Sequence, residues 1–215
     1  MIRRFKILPT LRFYRPLNRR SVRSNFYNLI FDGDSLTAFE GYVTIVRVIQ
    51  TEKGDTLTVV NYAVPGQDIL MMISDAPTQV DTPTNKNKPL NILSCWAGTN
   101  HIGFNRALGS TTHDTLKSYC QARRAYGFKV MVTTCLPRLD FDTSQEAQRT
   151  IFNNLIRTEW ASYADALVDV ASDPIMGAVA TTSNKLYYAD GIHFGSSGSD
   201  RLAPYFVTAI EKLLH

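Results

Sequence analysis

Two short stretches of this 215-residue chain have the residue types and spacing for nucleophilic chemistry. The first is Asp32-Gly33-Asp34-Ser35-Leu36, which follows the apolar run Phe26-Tyr27-Asn28-Leu29-Ile30-Phe31 and reads as a buried strand delivering a serine at its carboxyl end. A serine hydroxyl keeps its proton near neutral pH, so it becomes a nucleophile only beside a base and an oxyanion site. The second stretch, Asp190-Gly191-Ile192-His193, puts a carboxylate three residues before an imidazole in a turn-prone segment. A carboxylate there can accept one ring N–H, fix the tautomer and leave the other nitrogen to take the serine proton. The remaining histidines are weaker candidates: His215 is terminal, His113 reads as a surface residue at a helix start, and His101 follows Asn100 and stays open. Acyl transfer also needs donors where charge develops on the carbonyl oxygen. The backbone N–H groups of Ser35 and Gly66 and the side-chain amide of Asn100 are the candidates. Taken singly each is weak, because a glycine usually marks a turn and an asparagine after a strand usually caps one.

These residues need elements to bring them together. Apolar runs predict strands over Phe26–Phe31, Thr56–Tyr62, Leu90–Ala97, Phe128–Cys135 and Ala166–Val170. Between them, helices are expected over Gly41–Ile49, Gln67–Ser74, from Thr111-x-x-Asp114 to a stop at Gly127, and from a Thr143-x-x-Glu146 capping box through Phe152, Leu155, Ile156, Trp160 and Tyr163. A last helix starts near Ser196, with Pro204 expected to kink or split it. Thr78–Lys88 reads as a surface loop and Ser172–Ala189 as mostly loop. Strands that alternate with helices and are apolar throughout imply a parallel sheet covered on both faces. All strands of such a sheet end at one edge, so Ser35, Gly66 and Asn100, each just past a strand, converge there.

Composition bounds the rest. With 44% hydrophobic residues the chain can bury one substantial core, and residues 26–215 are expected to form a single domain. No apolar stretch is long enough to span a bilayer and the N-terminus lacks the core of a secretory signal, so a soluble protein is expected. Eight of the 23 bases precede the first acid, Asp32, which leaves 15 bases against 19 acids in the remainder. The basic balance therefore belongs to residues 1–25, and the mildly acidic domain gives no reason to expect nucleic-acid binding. This Arg-rich, acid-free arm has three readings: a transit peptide, a segment that wraps its own domain or a neighbouring subunit in a homo-oligomer, and a contact for an anionic surface. Its apolar residues, Phe5, Ile7, Leu8, Leu11, Phe13 and Tyr14, favour wrapping. Cys95, Cys120 and Cys135 cannot all pair within one chain and lack metal-ligand spacing, so buried free thiols are expected and no metal site.

In order and spacing, Gly33-Asp34-Ser35-Leu36, the glycine after the second strand, Gly98-x-Asn100 after the third and Asp190-x-x-His193 before the last helix resemble the GDSL, or SGNH, hydrolase superfamily. The resemblance covers residues 26–215. It implies a flavodoxin-like three-layer α/β/α sandwich with a central five-stranded parallel sheet and ester hydrolysis without a cofactor. Its implied roles are Ser35 as nucleophile, His193 as base, Asp190 as orienter, and Ser35, Gly66 and Asn100 as oxyanion donors. Two positions depart from the family pattern: His101 stands where an aspartate is usual, and Phe194 where proline or leucine is common. His101 is expected to support the loop or line the cleft. Phe194 and Arg138 are candidates for the cleft border, with a solvated charge favoured for Arg138 and core packing for Trp96. Asp34, next to the nucleophile, is expected to bond nearby N–H groups rather than serve as the triad acid. No segment reads as a large apolar lid, which favours small acyl groups such as acetyl on a carbohydrate. A non-catalytic glycan-binding or scaffold module, and an acyltransferase using the same triad, are the alternatives.

Overall fold

The computed structural model describes residues 25–215; residues 1–24, most of the basic arm, lie outside the described residues. Five strands form one parallel sheet in the order β2-β1-β3-β4-β5. They are β1 (Phe26–Gly33), β2 (Thr56–Asn61), β3 (Leu90–Trp96), β4 (Lys129–Thr133) and β5 (Ala166–Val168). This is the flavodoxin-type order, in which the chain leaves β1 in opposite directions for β2 and β3 and opens a crevice at the carboxyl ends of the strands.

The apolar runs are continuous because the sheet is buried on both sides. Leu29, Phe31, Ile92 and Met131 point into one core with Tyr42, Val43 and Val46 of α2 (Gly41–Glu52) and Leu202, Phe206 and Ile210 of α7 (Ser196–Leu214). The alternate residues Ile30, Leu93, Val130 and Val132 point into the other. That second core is closed by α3 (Ile69–Asp75), the short α4 (Thr99–Gly103), α5 (Gly109–Tyr126) and α6 (Thr143–Glu159). The outcome is the three-layer α/β/α sandwich expected. All three cysteines are buried and unpaired, and among the described residues no helix is long and apolar enough to cross a membrane.

Several local expectations need correction. The α6 cap is Asp142 with Gln145, one residue earlier than Thr143 with Glu146: Asp142 accepts from the Gln145 N–H and the Gln145 side chain accepts from the Asp142 N–H. Helix α5 begins at Gly109 rather than Thr111, because the Gly109 N–H is taken by Gln148 Oε1 of α6 at 2.9 Å, a partner distant in sequence. His113 is buried, with its ring edge-on to Tyr163 at 5.5 Å, since it lies on the inward face of that helix. Pro204 does not split α7. It sits on the exposed side, where a carbonyl left without its partner can meet water while Leu202 and Phe206 hold the opposite face to the sheet. The 78–88 segment is more than a surface loop: it carries a 3₁₀ turn at Pro83–Lys86 and buries Val80 and Asn85, and Asn28 of β1 donates to the Asn85 carbonyl.

Candidate active site

The end of β1 explains how the serine is presented. Gly33 lies so close to β3 that a Cβ on it would stand 2.3 Å from the Trp96 carbonyl oxygen, so only glycine lets the strand run flush to its end. The chain then turns into the single helical turn α1 (Ser35–Ala38), capped by Asp34, whose Oδ1 accepts from the Leu36 N–H at 2.9 Å. Ser35 is its first residue. Its own N–H therefore has no partner within the helix.

His193 reaches this serine from the other end of the chain. The segment before α7 is pinned by an antiparallel bridge between Tyr188 and Phe194, with the Ala189 N–H donating to the His193 carbonyl. At the tip of that turn Asp190 Oδ1 accepts from the N–H groups of Ile192 and His193 at 2.9 and 2.7 Å. Its other oxygen meets His193 Nδ1 at 2.6 Å, and His193 Nε2 lies 2.8 Å from Ser35 Oγ. Three donors on one carboxylate hold the Asp190 pKa down to about 2 despite some desolvation. Asp190 is thus ionised across the physiological range, and as an acceptor only it requires the Nδ1–H tautomer, which leaves Nε2 facing the serine.

Gly66 and Asn100 meet Ser35 at the same edge. Gly66 follows β2 in a turn with φ of 81°, a conformation that favours glycine, and among the described residues its N–H has no acceptor. Asn100 lies in the first turn of α4 and donates one amide N–H to the Gln67 carbonyl at 3.0 Å. Ser35, Gly66, Asn100 and His193 line one cleft of about 200 Å³, with Phe39, Pro65, Phe104, Arg138 and Ile192 as its other walls. A narrower recess of about 50 Å³ adjoins Ser35 and His193 and is bounded by Phe39, Phe194 and Ser199. A larger cavity of about 500 Å³ lies beside β5 and α7, lined by Trp160, Leu167, Tyr205 and Lys212, and contains none of the residues that converge on Ser35.

The other sequence candidates fall in different places. Phe194 borders the narrow recess and stacks on Trp96 at 5.6 Å, while Trp96 itself packs in the core as expected. His101 lines neither recess. It is a buried residue of α4 with Nδ1 3.9 Å from Asp68, and burial lowers its pKa. Arg138 corrects the expectation of a solvated charge. It is only 5% exposed, paired through Nε and Nη2 with Asp140 at 2.9 and 2.7 Å and flanked by the rings of Phe104 and Phe141. Two contributors were not singled out from the sequence. Phe39 covers the His193 ring at 5.0 Å, and its place four residues after Ser35, one helical turn on, was the available signal. The Gln67 carbonyl, which receives the Asn100 amide, left no signal because any residue has a carbonyl.

Asp34 has the bonding role expected of it, but with an unpaired side. Its Oδ2 is buried without a hydrogen-bond partner among the described residues, and burial pushes its pKa up to about 7. Asp32, at the end of β1, bonds the Tyr119 hydroxyl and the Gly33 N–H, and burial raises it to about 6.

Comparisons with known proteins bear on the fold and the family. The fold is similar to the crystal structure of TesA, at 21% identity and a TM-score of 0.70 over 87% of this chain and 99% of that one. It is similar to the acetyl xylan esterase AlAXEase at 19% identity and a TM-score of 0.67, over 85% and 99% of the two chains. A GDSL-like lipase from Bacteroides thetaiotaomicron VPI-5482 matches at 20% identity and a TM-score of 0.67, over 87% of this chain and 89% of that one. No curated protein matches the sequence. The model of the GDSL-like Lipase/Acylhydrolase family matches residues 31–201. Because that match takes in most of the chain and every residue from Ser35 to His193, the chain belongs to the GDSL-like lipase/acylhydrolase family, a family of ester hydrolases.

Proposed function

We propose that this protein hydrolyses small acyl esters through an acyl-enzyme on Ser35. The observation that carries the reading is the continuous line from Asp190 through His193 to the Ser35 hydroxyl, with contacts of 2.6 and 2.8 Å. His193 Nε2 takes the Ser35 proton as Oγ attacks the ester carbonyl, and Asp190 stabilises the imidazolium. The tetrahedral oxyanion is met by the N–H groups of Ser35 and Gly66 and by the Asn100 amide. On collapse of the intermediate, His193 returns the proton to the departing alcohol. Water then enters, loses a proton to His193 and releases the acid, restoring Ser35.

Size and lining support a small acyl group. The cleft, at about 200 Å³, is below the roughly 300–1,000 Å³ of sites that enclose a drug-sized ligand. Its apolar walls, Phe39, Pro65, Phe104 and Ile192, suit a short alkyl group, and the fold's likeness to an acetyl xylan esterase fits an acetylated carbohydrate as the substrate class. The test is turnover of p-nitrophenyl acetate. Ser35→Ala and His193→Ala are each expected to lower kcat by about 10³-fold or more. Turnover equal to that of the unaltered protein would contradict the reading.

A further inference from the structure

The Asn100 carboxamide is gripped at both ends. Nδ2 donates one N–H to the Gln67 carbonyl at 3.0 Å, and Oδ1 accepts from Arg138 Nη1 at 3.1 Å. A guanidinium can only donate and a carbonyl can only accept, so these two partners read the amide's direction. If the carboxamide turned over, its oxygen would face the Gln67 oxygen and its NH₂ would face the guanidinium. In the orientation found, the second Nδ2 N–H remains for the cleft that Asn100 lines beside Ser35. In the reversed one a carbonyl lone pair would replace it there, where negative charge is to develop.

Arg138 is itself fixed for this task. Asp140 holds its Nε and Nη2, the rings of Phe104 and Phe141 lie 5.4 and 5.1 Å from the guanidinium carbon, and Nη1 also approaches Thr99 Oγ1 at 3.5 Å. Gly103 leaves the space it occupies, since a Cβ there would come within 3.1 Å of Nη1. A buried guanidinium needs partners for its donors. Asp140 satisfies one edge of the fork, and the Asn100 carbonyl takes the Nη1 donor on the other side.

We propose that Arg138 is a positioning residue that fixes the donor orientation of the Asn100 carboxamide at the oxyanion site. The inference rests on the ester-hydrolysis reading above. A residue that acts through Asn100 has no work to do once Asn100 is gone, whereas one that merely supports the fold, or binds substrate on its own account, does.

The experiment is a double-mutant cycle on p-nitrophenyl acetate hydrolysis, with thermal unfolding recorded for each variant. Asn100→Ala is expected to lower kcat by about 10²- to 10³-fold, as for loss of one oxyanion donor. Arg138→Met is expected to lower kcat by about 10- to 100-fold with KM changed by less than about threefold, because the lost interaction acts in the transition state. In the Asn100→Ala background the same Arg138→Met change is expected to alter kcat by less than about threefold. An undiminished loss in that background, or an unchanged kcat for Arg138→Met alone, overturns the proposal. If Arg138→Met does not fold, Arg138→Gln replaces it in the cycle, and the same outcomes decide. Absence of turnover by the unaltered protein would overturn the esterase reading instead, so the two failures are told apart by that first measurement.

Discussion

Asp190 and His193 form one rigid unit: the carboxylate that holds the ring nitrogen at 2.6 Å also accepts the backbone N–H of the same histidine at 2.7 Å. The acid therefore fixes where the imidazole stands as well as which nitrogen carries the proton. Asp190→Asn keeps the shape but can place a donor against Nδ1, favouring the wrong tautomer. A kcat loss of about 10²- to 10⁴-fold is expected, with the variant still folded. Since the Asp190 pKa is held at about 2, it stays ionised from pH 4 upward, and its protonation is expected to take no part in any fall of kcat/KM above pH 4.

Asp34 and Asp32 predict the opposite of ordinary carboxylate behaviour in stability. Their folded-state pKa values, about 7 and about 6, lie above that of an exposed aspartate. Between about pH 4 and 7 the native state thus holds protons that the unfolded chain has released, and these groups' contribution to stability declines as pH rises through that window. Replacing Asp34 by Asn removes one of the two titrations. The drop in Tm from pH 5 to pH 8 is expected to be smaller in Asp34→Asn than in the unaltered protein, by about 3 °C or more. Equal drops in the two proteins would contradict the assignment.

Gly33, two residues before Ser35, is a packing requirement. With a Cβ 2.3 Å from the Trp96 carbonyl oxygen, Gly33→Ala has to push β1 away from β3 at the point where Ser35 is presented. The expected cost is about 3 kcal/mol of stability by chemical denaturation, accompanied by loss of esterase turnover in the folded fraction. A variant within about 0.5 kcal/mol of the unaltered protein would contradict the close approach.

Much of this arrangement was legible in the sequence because it depends on local signals. A strand followed by Gly33-Asp34-Ser35, and Asp190-x-x-His193 in a turn, announce themselves over a few residues. Strand-end glycines and asparagines acquire meaning once a parallel sheet gathers its ends at one edge. What was not legible depends on partners far apart in the chain. Arg138 reads as a surface charge until Asn100, 38 residues away, and the rings of Phe104 and Phe141 are seen around it. His113 reads as a surface residue until Tyr163 is seen packed against it, and the start of α5 is set by Gln148 of another helix. The α6 cap was misplaced by one residue because Asp142-x-x-Gln145 and Thr143-x-x-Glu146 are overlapping signals of the same kind, and only the structure shows which pair closes.

Cleft size predicts a preference along a chain-length series. Across p-nitrophenyl esters from acetate to decanoate, kcat/KM is expected to be highest for acyl groups of about two to four carbons, which fit a cleft far smaller than those enclosing larger ligands. A maximum at long chains would contradict the small-acyl reading while leaving the triad untouched.

The central claim, an acyl-enzyme on Ser35, is tested most directly by covalent capture. The full chain is treated with a fluorophosphonate and the site of addition is read by peptide mass spectrometry. The account predicts one adduct per chain, located on Ser35, absent in Ser35→Ala and formed at least about 100-fold more slowly in His193→Ala. An unlabelled Ser35 in the unaltered protein, or an adduct that persists at the same rate without His193, would contradict it.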